Sequence, residues 1–104
     1  MKKEEFEITS EKTSEGVKFM LKGFISSVYA DVLQGKLEES IKAGEHNIIL
    51  NMTRVEYLCS TGIRVLLKIY KDANEAGGKL SIEKPSERVR NVLGMVALNE
   101  MLLK

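Results

Sequence analysis

The sequence predicts one small α/β domain: a mostly parallel four-stranded sheet with one antiparallel edge strand and helices covering it. Three observations lead to this class. The run Asn47–Met52 is apolar without the alternation of a half-exposed strand, which marks a strand covered on both faces. From Gly16 onward, strand-like and helix-like stretches follow one another as βαβαβα with short links, the order of a parallel sheet built by right-handed crossovers. Ahead of them, Phe6–Thr13 alternates at its start and ends in the turn cluster Thr13-Ser14-Glu15-Gly16. It therefore forms a hairpin with the next strand and lies antiparallel at one edge.

The bulk numbers agree with one folded unit spanning residues 1–104. The chain has 104 residues, 43% hydrophobic and 30% charged, which favours a packed core over disorder. Sixteen basic residues stand against fifteen acidic, for a formal charge of +1. That balance gives no bulk attraction for nucleic acid or a membrane surface. No apolar run reaches the roughly 18–20 residues of a membrane span, and the charged start Met1-Lys2-Lys3-Glu4-Glu5 lacks the apolar stretch of a signal peptide. A single cysteine makes no internal disulfide, so a reducing cytoplasm is the expected location.

Each element has its own signal. Gly16–Gly23 is the second strand. Ser26 or Ser27 then caps a helix whose inner face is Tyr29, Val32, Leu33, Leu37 and Ile41, with Gly44 at its end. Gly35 inside that helix costs about 1 kcal/mol relative to Ala. After Asn47–Met52 comes a polar connection, Thr53–Leu58, and a cluster of small residues, Cys59-Ser60-Thr61-Gly62. Helical spacing begins at Ile63 and continues through Leu66, Leu67, Tyr70, Ala73 and Asn74, until Gly77-Gly78 stops it. Lys79–Lys84 alternates and is expected near an edge. Ser86 caps a further helix packed through Val89, Val92 and Leu93; Gly94 is expected to break it, with another short helical stretch at Leu98–Leu103. Met95, Met101 and Leu102 are expected to finish the core.

The segment Asn51-Met52-Thr53-x-Val55-x-x-x-Cys59-Ser60-Thr61-Gly62-Ile63 resembles the signature of the STAS domain family, the fold of bacterial anti-sigma factor antagonists. The likeness runs in order over nearly the whole chain and includes Gly23 before the first helix and the Gly77-Gly78 turn. Two positions depart from the family pattern. The Asp that precedes the phospho-acceptor serine is Cys59 here, and the acidic residue that follows the Gly23 segment is Ser26.

Strand, small-residue turn and helix place two hydroxyls where free backbone N–H groups and the helix dipole favour an anion. By the resemblance, Ser60 is the phospho-acceptor and Thr61 the less favoured alternative; the plainer reading makes Ser60 the N-cap of the helix. Phosphorylation would add a charge of roughly −1.5 to −2, which the dipole favours by about 0.3–1 kcal/mol. Cys59 is either a thiol activated by the helix start or a small half-buried replacement for Asp. A Cys–His pair is excluded by spacing, since His46 lies at the far end of the central strand, an expected ~20 Å away, and is read as a surface residue. One His, one Cys and two Asp make no convincing metal cluster. Gly77-Gly78-Lys79 lacks phosphate-loop spacing and follows a helix, so it is a turn. Arg54, Arg64, Arg88 and Arg90 are either scattered surface charges or partners for a phosphate or an acidic protein.

The resemblance implies a binding module with no catalytic turnover and no cofactor of its own. Unphosphorylated, it would bind an anti-sigma factor with serine kinase activity, which brings the ATP, and so free a sigma factor. Phosphorylation of Ser60 would dissociate the pair. The contact surface would comprise the Gly23–Ser27 segment, the Cys59–Gly62 turn and the exposed face of the following helix, with Ser26, Ser27, Cys59, Ser60, Thr61, Gly62 and Arg64 as its contact residues. The chain would act as a monomer or weak dimer, without binding nucleic acid or entering a membrane. The alternative is a non-switching STAS subunit of a larger signalling or lipid-transport assembly.

Overall fold

β3 (Asn47–Leu58) is the strand on which the sheet is assembled. It pairs in parallel with β2 (Gly16–Ile25) on one side and with β4 (Lys79–Glu83) on the other. β1 (Phe6–Thr13) runs antiparallel to β2 at the far edge, which gives the order β1-β2-β3-β4. The computed structural model describes residues 6–95. Its helices are α1 (Ser27–Lys42), α2 (Ser60–Glu75) and α3 (Glu87–Met95). The mixed sheet with its single antiparallel edge strand is the one the sequence predicts.

β3 is twice the expected length because Thr53–Leu58 is strand and not connection. From the pair Met20/Asn51 to Lys22/Arg54, β2 advances two residues while β3 advances three. From Gly23/Val55 to Phe24/Tyr57, β2 advances one and β3 two. Each irregularity inserts a residue in β3, which erases the two-residue alternation by which a strand is read. β2 likewise continues past Gly23 to Ile25. α2 begins at Ser60, three residues before its apolar spacing is evident.

All three helices pack on one face. Phe19 and Leu21 of β2, Leu50 and Met52 of β3, and Leu80 and Ile82 of β4 join one buried cluster with Leu33, Leu37, Leu66, Ile69, Val89 and Leu93. The inner face of α2 is Gly62, Val65, Leu66, Ile69 and Ala73, one position round from the expected stripe, and Asn74 is exposed. On α1, Ala30 takes the place expected for Val32, which is 45% exposed. Each of these core side chains contributes about 1.5–3 kcal/mol by burial. The bridge from Lys68 to Glu38 on α1 (3.0 Å) is open to solvent and screened, so packing holds α1 against α2.

The opposite face of β3 carries no described helix, contrary to the two-sided cover its apolar run suggested. Ile49 is nevertheless 5% exposed. It lies between Lys18 of β2 and Ser81 of β4 in the strand register, and Lys18 reaches Glu83 at 2.8 Å, so the lysine stem covers it. At the bottom of the sheet Gly77 takes φ +89 and Gly78 lies where a Cβ would collide with the His46 carbonyl, which itself accepts from Lys79 N at 2.9 Å. Gly94 does not break α3, which runs on to Met95. The expected stretch Leu98–Leu103, with Met101 and Leu102, lies outside the described residues.

A Cβ on Gly35 would meet nothing within 4 Å, so this glycine serves no close packing and helix propensity alone decides its effect. Gly35→Ala should stabilise the domain by about 1 kcal/mol. Urea unfolding tests this: the midpoint rises at unchanged slope, whereas an unchanged or lower midpoint would mean the site is packed.

Candidate functional site

β2 and β3 run parallel and end together at Ile25 and Leu58, where both hand over to helices. Cys59 N donates to Ile25 O at 3.0 Å, which ties the two ends. Cys59 itself is extended (φ −80°, ψ 170°), and its Sγ accepts from Gly62 N at 3.3 Å. The N-cap of α2 is therefore the thiol and not the Ser60 hydroxyl. Sulfur is a weak acceptor, so this cap is a poor version of the one an Asp would make.

Gly62 is buried. A Cβ there would lie 2.7 Å from Leu58 Cδ1 and 3.2 Å from Ile25 Cγ2, so glycine lets the first turn of α2 sit directly on the strand ends. That contact turns the other side of the turn outward. Ser60, the first residue of α2, is exposed, and its hydroxyl makes no hydrogen bond among the described residues. Thr61 is half-buried, and Arg64, four residues beyond Ser60 on the same helix side, is exposed.

The start of α1 lies alongside. Ser26 occupies the N-cap position with extended backbone (φ −81°, ψ 178°), but its hydroxyl makes no capping bond; only its carbonyl engages, accepting from Ala30 N at 2.7 Å. Ser27 is exposed. Ser26, Ser27 and Cys59 line one open cleft of ≈ 400 Å³ together with Phe24 and Tyr57, whose rings are 6.0 Å apart. Two helix N-termini thus meet at the carboxyl ends of two parallel strands, a place where open α/β sheets bind ligands. Val28 and Val32, 70% and 45% exposed, continue an apolar strip along α1.

Of the residues singled out in the sequence, the structure gathers Ser26, Ser27, Cys59, Ser60, Thr61 and Arg64 at one end of the sheet, with Gly62 packed behind them. Phe24 falls in the segment expected to make contact, whereas Tyr57, its partner, was missed. Their pairing depends on the irregular register of β3, and a Tyr in what reads as a polar connection gives no local signal. His46 is half-buried, not a surface residue, and its buried Nδ1 has no hydrogen-bond partner among the described residues. It lies beyond the opposite end of the twelve-residue β3 from Cys59, farther than a six-residue strand implied. Among the described residues no group of three or more His, Cys, Asp or Glu is placed to hold a metal, and no helix is long and apolar enough to cross a membrane. Arg54 lies on the open sheet face, and Arg88 and Arg90 are exposed on α3.

The layout can be set beside known proteins. Residues 7–104 match the STAS domain family. The chain belongs to that family. This STAS domain is 31% identical over 72 residues to BtrV of Bordetella bronchiseptica, assigned as an anti-sigma factor antagonist; the match covers 69% of this chain and 62% of BtrV. It thus spans less than two thirds of that relative. Its fold is that of the anti-sigma factor antagonist SpoIIAA in its unphosphorylated form, with TM-score 0.81 at 21% identity, covering 92% of this chain and 85% of SpoIIAA. The phosphorylated form of Bacillus SpoIIAA superposes with TM-score 0.75 at 22% identity, covering 92% and 88%.

The thiol cap generates a test of the site's construction. Cys59→Asp places a carboxylate where the sulfur now accepts from Gly62 N, at the positive end of α2. The variant should gain about 1 kcal/mol of stability in thermal or urea unfolding. A loss would mean that Cys59 is held by packing and not by its role as cap.

Proposed function

We propose that this STAS domain is an anti-sigma factor antagonist switched by phosphorylation of Ser60. The observation that supports this best is the state of that side chain: an exposed hydroxyl, without a hydrogen bond among the described residues, on the first residue of a sixteen-residue helix. A kinase can reach it, and the fold does not need it. A phosphate there adds a charge of roughly −1.5 to −2 at the positive end of α2. The domain tolerates that charge, while a partner fitted to a neutral hydroxyl does not. Thr61, half-buried, is the poorer acceptor.

The partner is an anti-sigma factor with serine kinase activity, which supplies the ATP; the chain itself turns nothing over. Its footprint is Ser26, Ser27, Cys59, Ser60, Thr61 and Arg64, with Gly62 acting through the packing beneath. The Phe24–Tyr57 pair and the exposed Val28 and Val32 add the apolar area from which such interfaces take most of their energy. BtrV and SpoIIAA, both anti-sigma factor antagonists by name, support the reading. One feature favours the alternative of a non-switching scaffold subunit: Cys59 removes the carboxylate that the family signature places beside the acceptor.

Three variants separate the readings. Ser60→Ala should cost less than about 0.5 kcal/mol, because the cap is Cys59; it should bind the partner and accept no phosphate. Ser60→Asp should weaken binding at least about tenfold, or roughly 1.4 kcal/mol. Cys59→Asp should take up phosphate faster than wild type. The measurements are quantitative phosphorylation by the cognate kinase and a binding isotherm. A wild-type chain that stays unmodified, with Ser60→Asp binding normally, would replace the switch by the scaffold.

A further inference from the structure

The face of the sheet that carries no described helix has a second concentration of charge, separate from the start of α2. Lys22, Arg54 and Lys84 line a cleft of ≈ 550 Å³ there, with Glu7, Asn51 and the exposed Met20. Lys22 and Arg54 stand directly opposite each other in the β2–β3 register, and Glu7 faces Lys22 from β1. Like charges so placed repel, and none of the three cations forms an ion pair among the described residues. Four residues back along β2, on the same face, Lys18 does have its carboxylate: Glu83 at 2.8 Å, whose hydrogen bond raises the lysine pKa above its ordinary value. One cation on this face is thus neutralised within the fold, and the other three share the one facing Glu7 of the cleft.

The backbone is shaped to bring them there. The first irregularity in β3 falls between Asn51 and Arg54, and it is what sets Arg54 beside Lys22; inserted residues commonly re-aim side chains next to binding sites. Lys84 takes φ +47, a left-handed conformation that a lysine adopts at a cost. It is held by Thr53, whose hydroxyl donates to Lys84 O at 2.9 Å, while Thr53 N donates to Asn51 Oδ1 at 3.1 Å. Stability alone favours neither the opposed cations nor the strained lysine.

We propose that this cleft binds a compact, soluble, phosphate-bearing anion between Lys22, Arg54 and Lys84. Three cations against the single Glu7 leave a net charge of two, which matches a phosphate or pyrophosphate group, and the guanidinium can engage two of its oxygens at once. Beyond the cleft the same face carries Glu11 and Glu83, so an acidic peptide laid along the strands would meet carboxylates; a compact anion does not. The cleft has the size of a small-molecule site, and Met20 offers an apolar floor for whatever the phosphate is attached to.

The test is a titration of the intact chain with pyrophosphate at constant ionic strength, followed by backbone amide NMR. Saturable shifts at Lys22, Thr53, Arg54 and Lys84, with Kd near 1 mM or below, are expected, together with a rise in melting temperature as ligand increases. Arg54→Gln and Lys22→Gln should each weaken binding about tenfold or more, and Arg54→Gln should melt no lower than wild type without ligand, since it relieves a repulsion while Lys22 keeps the facing Glu7. Lys36→Gln on α1 should bind as wild type. Absence of saturable shifts, shifts spread over the lysines and arginines generally, or undiminished binding in Arg54→Gln would overturn the proposal. So would binding to vesicles of anionic phospholipid without binding to free pyrophosphate.

Discussion

The close approach of Gly62 to Leu58 and Ile25 fixes where α2 begins, and the arrangement of the site follows from that contact. With no side chain at position 62, the first turn of α2 rests on the ends of β2 and β3, and the bond from Cys59 N to Ile25 O locks the two strand ends at that level. A helix seated this way has one choice of outward direction for its first residue. Ser60 therefore projects to solvent without a hydrogen bond of its side chain to the described residues, and the positive end of the helix lies beneath it. The neighbouring start of α1 is set by the same strand end, since Ile25 precedes Ser26.

A hydroxyl presented by packing, and not by its own bonds, can change its charge without changing the fold. The core cluster lies beneath the strands and takes nothing from Ser60. SpoIIAA, whose fold this domain shares, keeps that fold in both its unphosphorylated and its phosphorylated form. The thiol cap is the one weak element at this end: Cys59 does with sulfur what a carboxylate does better. Replacing one by the other alters both the helix start and the electrostatics beside Ser60, the proposed acceptor, so stability and phosphorylation rate are read separately in that variant.

Much of this was legible in the sequence, and the failures share causes. The hairpin, the order of strands and helices, the cap at Ser86 (which accepts from Val89 N at 3.2 Å) and the Gly77-Gly78 turn each rest on a local pattern, and each is where it was expected. The second half of β3 was lost because two inserted residues break its alternation. The inner stripe of α2 was off by one position because Ile63, Leu67 and Tyr70 are apolar too, and they flank the true core face of Val65, Leu66 and Ile69. Ile49 looked as if it needed a helix above it; a lysine stem from the neighbouring strand suffices. The Phe24–Tyr57 pair and the opposed Lys22 and Arg54 are properties of register, which a linear reading does not contain.

The central claim is that charge at Ser60 acts on the surface alone, through a scaffold whose fold stays put. Comparison of amide NMR spectra of the wild type and of the chain phosphorylated at Ser60 tests it most directly. Shifts are expected only in the first turn of α2 and the adjoining Phe24–Ser27 rim, with core amides such as Leu50 and Ile82 unmoved. Shifts running through β3 and β4, or lost protection of their amides against hydrogen exchange, would contradict it.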